Sequence, residues 1–258
     1  MALSARRRGI IGRLRRRSSR EREGLFLVEG LRTALEALEK GADIRFAVCA
    51  PRLREADGGE ALVEAMDRAG VEVDWTDERE LDSLSDTESP QGVLLVCREP
   101  TWRLDDLDAS RGLLLLDGVQ DPGNLGTLVR AAAAFGLGGV LALEGTVDPW
   151  NPKAVRAAAG SVFSVPVLVI PFEAVAPWLE ETRTDLLVSE PSATDVATVR
   201  PGTRWALVVG NEGAGVRPSI SAVARAAVGI PMSRTTESLN AGVAGAILTY
   251  VLTRETRS

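Results

Sequence analysis

The sequence predicts an α/β protein with a small domain followed by a larger one built on a mostly parallel sheet. In the second half, continuous apolar runs such as LLLLDGV and RWALVVG alternate with stretches of helical periodicity. Apolar runs without alternation are typical of parallel strands that are covered on both faces. Residues 99–112 mix charge with a proline and lack periodicity, so we expect a linker between the two halves.

The smaller domain is predicted over residues 23–98. In FLVEGLRTALEALEKGADIRFAVCAP we expect a helix and then the buried strand IRFAVCA. Leu31, Leu35 and Leu38 share one helical face, and Gly41 suits the position just after a helix. GGEALVEAMDRAGVEVDW repeats the helix–strand order, and VLLVC predicts another strand.

Charge is distributed unevenly along the chain. The first 22 residues contain nine arginines and one acid, whereas the remainder has 21 basic and 35 acidic residues, a net charge of −14. A basic segment on an acidic body is typical of proteins that bind a polyanion such as RNA. We therefore expect residues 1–22 to form a flexible basic arm; the alternatives are a solvated tail without a ligand and a mitochondrial presequence.

Composition excludes several classes of protein. The chain has no histidine, which excludes a zinc enzyme or a Ser-His-Asp hydrolase, and we expect no metal. No apolar run approaches the roughly 20 residues of a membrane span, so we expect no membrane association. Cys49 and Cys97 lie in separate apolar runs and are predicted to be buried, reduced thiols of a cytoplasmic protein.

The first stretch with chemical character is LDGVQDPGNLGTLVRAAAAFG, residues 116–136. A strand ends at Asp117, a Pro-Gly turn follows, and Asn124 suits the N-cap of the next helix. Arg130 lies six residues later in an apolar helix. An arginine there is either paired with a carboxylate or directed into a cleft.

The second stretch is VVGNEGAGV, residues 208–216, which has the composition of a phosphate-binding loop. In such a loop the glycines run directly into a helix, whose N–H groups meet the phosphate. Here the first plausible helical residue is Pro218, and the spacing of Gly210, Gly213 and Gly215 does not fit G-x-G-x-x-G. We therefore expect no phosphate cradle; Glu212 at the loop centre is either solvated or braces a binding site.

The third stretch is IPMSRTTESLNAGVAGAILTYV, residues 230–251. Its second half is apolar nearly all round and rich in Gly and Ala, which predicts a buried helix closely approached by other backbones. Ser238 suits the N-cap, and Asn240 is then an amide at the second helical position that requires partners if it is buried.

In order and spacing across residues 113–254, the three stretches resemble the SpoU (TrmH-type) RNA ribose 2′-O-methyltransferases of the SPOUT superfamily. The matching motifs are the Asn124–Arg130 pair, the Gly-x-Glu-Gly-x-Gly loop, and the IPM and SLN segments. The N-terminal half is similar to the small substrate-binding domain, with the fold of ribosomal protein L30e, that precedes this domain in rRNA-modifying members.

The resemblance implies an α/β-knot domain over residues 113–258 with a deep trefoil knot, S-adenosylmethionine (AdoMet) as cofactor, and a homodimer. It implies methylation of a ribose 2′-hydroxyl in RNA, with ribosomal RNA favoured and no DNA substrate. The family's catalytic positions correspond here to Arg130, Asn124, Glu212, Ser238 and Asn240. Its cofactor positions correspond to Gly210, Ile230, Leu239, Val209, Asn211 and Met232.

The resemblance assigns activation of the 2′-hydroxyl to Arg130. Because an arginine pKa is about 12.5 or higher, we expect Arg130 to orient an RNA phosphate and stabilise the forming alkoxide rather than accept the proton. The alternatives to an rRNA enzyme are a tRNA 2′-O-methyltransferase and a non-catalytic RNA-binding knot protein. A Rossmann oxidoreductase is disfavoured because its glycine loop follows the first strand of the sheet, whereas the glycine loop of this chain follows the penultimate predicted strand.

Overall fold

The computed structural model describes residues 3–233 and 238–257 and divides the chain into two compact units. The first unit contains the residues up to Thr101 and the segment Trp150–Phe163, and the second contains the rest. The sequence assigned 113–258 to one domain. Trp150–Phe163 lies instead with the first unit because both of its terminal rings pack on Phe26, with centroids 4.7 and 5.9 Å away.

The first unit is built on a four-stranded sheet with the order β1-β4-β2-β3. Its strands are β1 (Leu25–Glu29), β2 (Ile44–Cys49), β3 (Val73–Trp75) and β4 (Val93–Arg98). Strand β4 runs antiparallel to β1 and β2, whereas β2 and β3 are parallel. The helices that follow β1 in this unit are α3 (Leu31–Glu39), α4 (Arg52–Glu55), α5 (Gly59–Arg68), α6 (Glu78–Leu84) and α8 (Pro152–Ala158).

Strand β1 was missing from the sequence prediction, which placed FLVE at the start of a helix. Phe26, Leu27 and Val28 are buried and pair with β4, and Gly30 at φ +95° turns the chain into α3. The C-terminal end of α3 is as predicted, with Gly41 at φ +68°. Cys49 and Cys97 are free and buried, and burial raises the pKa of the Cys49 thiol to about 12.

The arginine-rich segment is not a flexible arm. It forms α1 (Ala5–Leu14) and α2 (Arg17–Glu23), and both Ile11 and Leu14 are fully buried in the core of the first unit. Its arginines meet acids of the same unit, in the pairs Arg7–Glu72, Arg7–Asp74, Arg8–Glu80, Arg13–Glu23, Arg15–Asp86 and Arg17–Glu21. The prediction was wrong because it considered the charge of residues 1–22 alone, without the acids from later in the chain that the fold places beside these arginines.

The second unit is built on a six-stranded sheet with the order β10-β8-β9-β5-β6-β7. Its strands are β5 (Leu113–Asp117), β6 (Gly139–Ala142), β7 (Val167–Val169), β8 (Asp185–Asp195), β9 (Trp205–Gly210) and β10 (Ala226–Gly229). All neighbouring strands are parallel, which confirms the prediction from the continuous apolar runs. The trefoil knot stays a prediction of the resemblance.

The helices of the second unit are α7 (Pro122–Ala134), α9 (Phe172–Glu181), α10 (Pro218–Ser221) and α11 (Ala241–Arg257). Leu107 and Ala109, which the sequence placed in a linker, are buried in the core of this unit. The predicted linker over residues 99–112 therefore supplies core residues to the second unit, which begins at Trp102. Among the described residues, none of the helices combines the length and apolar character that crossing a bilayer requires.

Helix α11 packs closely on α7 and β9, as its small residues predict. A Cβ at Gly245 would lie 2.4 Å from Cδ2 of Leu128 and 3.0 Å from Cγ2 of Val209. The prediction of burial on every side was wrong, however. Val243, Ile247 and Tyr250 are 46%, 38% and 46% exposed, which leaves an apolar stripe on the opposite face.

Candidate functional site

A cavity of about 630 Å³ lies beside the middle of β8, the C-terminal ends of β9 and β10, and the start of α11. The polypeptide that lines it comes from all three strands and from the helix. It includes every predicted cofactor position, namely Val209, Gly210, Asn211, Ile230, Met232 and Leu239. Three of the predicted catalytic positions also line it, namely Glu212, Ser238 and Asn240. Parallel strands place their carboxyl ends at one edge, where ligand sites of open α/β sheets lie.

The glycine loop is closed on itself and is not a phosphate cradle. Asn211 and Gly215 exchange backbone hydrogen bonds of 3.0 and 2.9 Å. Oδ1 of Asn211 accepts the N–H groups of Gly213 and Ala214 at 3.0 and 2.9 Å. The amides that would have to meet a phosphate are therefore already used, in agreement with the spacing argument.

Gly210 is required by the loop itself. A Cβ at this position would lie 2.2 Å from the carbonyl carbon of Gly215 and 2.3 Å from the nitrogen of Val216. No L side chain fits there without displacing backbone. Closure of the loop alone therefore requires glycine at position 210, whether or not a ligand approaches it from the cavity.

Glu212 joins the glycine loop to the turn that precedes α7. Its Oε1 accepts hydrogen bonds from Nδ2 of Asn124 at 2.8 Å and from the N–H of Asp121 at 3.2 Å. Its Oε2 accepts the N–H of Gln120 at 3.2 Å. Burial raises the pKa of the Glu212 carboxyl, but these hydrogen bonds outweigh it, so that the pKa lies below its ordinary value.

Asn124 is a buried connector and not the N-cap that the sequence predicted. Helix α7 begins at Pro122, and Asp121 caps it by accepting the N–H of Asn124 at 2.9 Å. The side chain of Asn124 is then available to donate to Glu212 and to accept from Nδ2 of Asn240 at 2.8 Å. Proline at the first helical position makes Asp121 the better cap, a signal that was present in the sequence.

Asn240 is the cap of α11, and the prediction of Ser238 for that role was wrong. Its Oδ1 accepts the N–H of Val243 at 3.1 Å, and its carbonyl accepts the N–H of Ala244 at 2.8 Å. The helix accordingly begins at Ala241, two residues later than a second-position Asn240 would require. Ser238 is exposed and lines the cavity. Residues 234–237 of the preceding polar loop lie outside the described residues.

Arg130 is exposed on α7 and does not line the cavity. Within residues 3–233 and 238–254, no carboxylate forms an ion pair with it. Of the two outcomes that the sequence left open, pairing with an acid is thus not observed in this part of the chain. The guanidinium group is available to a ligand.

Asp117 and Arg217 form a bridge that the sequence analysis missed. Asp117 is 1% exposed, and it accepts the N–H of Arg217 at 2.7 Å and its Nε at 2.6 Å. Arg217 also donates to Oε2 of Glu144 at 3.2 Å. The bridge joins the end of β5 to the residue that follows the glycine loop, so it holds these two segments together. An acid at the end of an apolar strand requires a buried partner, which was the signal for it.

Ser189, Glu190 and Pro191 form another part of the cavity wall that the sequence analysis missed. They belong to β8, which neighbours β9 in the sheet. Only the strand order, which the sequence does not supply, shows that this part of β8 faces the same cavity as the glycine loop.

The chain is similar to known RNA methyltransferases over most of its length. Residues 112–250 match the SpoU rRNA Methylase family, and residues 10–95 match the MRM3-like substrate binding domain. The 23S rRNA (guanosine(2553)-2′-O)-methyltransferase RlmP of Bacillus subtilis is 31% identical over 93% of this chain and 93% of its own length. The 23S rRNA (uridine(2479)-2′-O)-methyltransferase of Streptomyces viridochromogenes is 28% identical over 93% of this chain and 86% of its own length.

The architecture agrees with these sequence matches. The crystal structure of the SpoU methyltransferase AviRb from Streptomyces viridochromogenes, in complex with the cofactor AdoMet, superposes with a TM-score of 0.87 and 28% identity. The match covers 99% of both chains. An AdoMet-bound rRNA methyltransferase from Sinorhizobium meliloti superposes with a TM-score of 0.86 and 27% identity, over 98% of this chain and 96% of the other. The protein belongs to the SpoU rRNA methylase family.

Proposed function

We propose that the protein transfers a methyl group from AdoMet to a ribose 2′-hydroxyl of 23S ribosomal RNA. The observation that carries the proposal is the network Glu212–Asn124–Asn240, which joins three separate motif loops at one cavity. The relatives named above act on 23S rRNA, which supports this substrate over tRNA. Two buried, free thiols support a reducing compartment, and we place the reaction in the cytoplasm.

The residues of the cavity fit AdoMet. Its volume of about 630 Å³ lies within the roughly 300–1,000 Å³ of small-molecule sites. Val209, Met232, Leu239 and Leu248 provide apolar walls for an adenine ring, and the backbone at Gly210 and Ile230 provides polar groups for its edge. Glu190 and Glu212 also line the cavity. Their carboxylates favour a ligand that carries a sulfonium and an ammonium group.

When bound, AdoMet supplies an electrophilic methyl group that requires in-line approach of the 2′-oxygen. Arg130 is the catalytic residue in this proposal. Its guanidinium group, which has no ion pair within the described residues, holds the RNA phosphate and stabilises negative charge on the 2′-oxygen as the hydroxyl proton passes to solvent water. Asn124, Glu212 and Asn240 are positioning residues, since they hold the ends of α7 and α11 relative to the glycine loop.

We further propose that the protein is a homodimer joined through α11. Val243, Ile247 and Tyr250 recur at helical spacing and form an exposed apolar stripe. A stripe on one helix is self-complementary across a twofold axis, which is the geometry of most dimers. The inward face of the same helix lines the cavity with Ala241, Ala244 and Leu248. The second copy would therefore pack on the face of α11 that does not line the cavity.

The test is single-turnover methylation of transcribed 23S rRNA with labelled AdoMet. We expect the label at a position that resists alkaline cleavage, as a 2′-O-methyl group does. Arg130→Ala should reduce the rate about 100-fold while the Kd for AdoMet stays within a factor of two. AdoMet binding without transfer to RNA would favour the non-catalytic RNA-binding protein, and a label on a base would refute ribose methylation.

A further inference from the structure

A second cavity, of about 230 Å³, lies entirely within the first unit. It is formed where β1 passes into α3, beside the loop that precedes β4. Helix α8 contributes one arginine to its wall. The residues that line it are Glu29, Gly30, Arg32, Thr33, Ser85, Thr87, Ser89, Pro90, Gln91, Val93 and Arg156.

One of the two arginines at this cleft lacks the acidic partner that most arginines of α1 and α2 have. The arginines of α1 and α2 are largely matched by acids, as described above. Arg32, in contrast, is exposed and forms no ion pair within the described part of the chain. Arg156 is about one third exposed, and its NH1 lies 3.4 Å from Oε2 of Glu29. The residues that line the cleft thus contribute one carboxylate and two guanidinium groups.

The interior of the cleft offers both donors and acceptors. Glu29 is almost completely buried, and its Oε1 accepts the N–H of Asp86 at 2.7 Å. Oε1 of Gln91 accepts the N–H of Leu31 at 2.9 Å, so the amide nitrogen of Gln91 keeps both donors. The hydroxyl groups of the wall, from Thr33, Ser85, Thr87 and Ser89, can act in either direction.

We propose that this cleft binds one unpaired nucleotide of the substrate RNA, an inference that rests on the proposed function. Arg32 at the exposed rim meets the phosphate, and Glu29, Gln91 and the hydroxyl groups meet the edge of the base. Unpaired bases offer their Watson–Crick edges, whereas pairing occupies those edges in an RNA duplex. The volume is below the roughly 300 Å³ at which separate small-molecule sites begin, which suits one unit of a polymer.

The first test compares two charge reversals in the same unit. Arg32→Glu removes the proposed phosphate contact, and Arg79→Glu makes the same change at an exposed arginine of α6 that does not line the cleft. Binding is measured without AdoMet, using a single-stranded RNA oligonucleotide, its duplex and transcribed 23S rRNA. We expect Arg32→Glu to weaken binding of the single strand and of 23S rRNA about tenfold and to reduce the salt slope by about 1. Arg79→Glu should change binding less than twofold.

Equal effects of the two variants would overturn the proposal, as would a loss confined to duplex RNA. Competition between RNA and AMP distinguishes a cleft that binds a nucleotide within an RNA strand from one that binds a free nucleotide. We expect no displacement of RNA by millimolar AMP, and displacement would assign the cleft to a free nucleotide instead.

The second test locates the contact directly. RNA that contains 4-thiouridine is crosslinked to the wild-type protein, and the modified peptides are identified by mass spectrometry. Crosslinks to residues 29–33 or 85–91 support the site, and their absence while other peptides are crosslinked would overturn it. Both tests measure RNA binding, so a cleft that fails them in an enzyme that still methylates rRNA refutes this inference alone. A cleft that passes while no methyl group is transferred refutes the proposed function alone.

Discussion

Nδ2 of Asn124 donates a hydrogen bond of 2.8 Å to Oε1 of Glu212, although 88 residues separate the two in the chain. At the same time, Oδ1 of Asn124 accepts from Nδ2 of Asn240 at 2.8 Å. Both ends of one amide are thus used, and they connect the start of α7 to the glycine loop and to the start of α11. A side chain with only donors or only acceptors cannot make this connection.

Replacing Asn124 by Asp should therefore impair the site although the change is nearly isosteric. It removes the donor and places a second carboxylate beside that of Glu212. Loss of a hydrogen bond to a charged group costs about 1.5–3 kcal/mol, which corresponds to a loss of AdoMet affinity of roughly 10- to 100-fold by calorimetry. Asn151→Asp is the matched control, because Asn151 caps α8 only as an acceptor from Lys153 and Asp caps equally well. Equal affinities of the two variants would contradict the role of the donor.

The lowered pKa of Glu212 predicts a dependence of AdoMet affinity on pH. Because hydrogen bonds outweigh burial and lower the folded-state pKa, the carboxylate stabilises the loop fully above its unfolded-state value of about 4.3. This stabilisation is lost as pH falls through the folded-state pKa. The ratio of wild-type to Glu212→Gln affinity should accordingly be large near neutral pH and shrink in acid. Glu173→Gln, at an exposed glutamate of α9, should give a ratio near one at every pH. A constant ratio for Glu212→Gln would refute the assignment.

The glycine loop predicts opposite results for two substitutions of the same kind. Gly210→Ala places a Cβ 2.2 Å from the backbone of Gly215, so the loop has to open. Gly213→Ala places its Cβ 3.7 Å from Oδ1 of Asn211, an ordinary contact distance. We expect Gly210→Ala to abolish measurable AdoMet binding in calorimetry and Gly213→Ala to change the Kd less than threefold. If Gly210→Ala binds normally, the loop does not need to be closed.

Most of the strands could be predicted from sequence, because apolar runs are a local property, although β1 was missed. The meeting of the three motif stretches was implied only by the family resemblance. The end of β5 and the end of β9 lie side by side through pairing of Asp117 with Gly210, as expected for neighbouring parallel strands. The cap of α7 could also have been assigned locally, because Pro122 at the first helical position favours Asp121. The cap of α11 could not, since Ser238 has a suitable side chain and Asn240 is held by Asn124, which is distant in sequence.

The N-terminal segment shows the same limit for charge. Ile11 and Leu14 were two apolar residues among many arginines, and nothing local indicated that a core was available to bury them. The acids that neutralise Arg7 and Arg15 come from residues more than 60 positions away. The net charge of residues 1–22 therefore predicted an RNA contact. In the fold, most of this charge is neutralised by acids of the same unit.

Packing of α1 predicts that Ile11→Ala destabilises the protein. Ile11 has no exposed surface, and truncation of a buried isoleucine costs about 2–5 kcal/mol of unfolding free energy. A lower midpoint of chemical unfolding measures this loss. Ile10→Ala in the same helix is the control, because Ile10 is only partly buried and should cost much less. An unchanged midpoint for Ile11→Ala would contradict the packing of α1 and support the flexible arm instead.

The apolar stripe of α11 predicts that one exposed isoleucine controls the oligomeric state. Ile247→Asp places a charge in the centre of the stripe, where dimer formation would bury it without a partner, and an unpaired buried charge is strongly unfavourable. Light scattering should show a dimer for the wild-type protein and a monomer for Ile247→Asp, with an unchanged circular dichroism spectrum because the position is exposed in one chain. Val223→Asp introduces the same charge at a valine that is 62% exposed on the same unit and should stay dimeric. A wild-type monomer, or a dimer that survives Ile247→Asp, would show that α11 is not the interface.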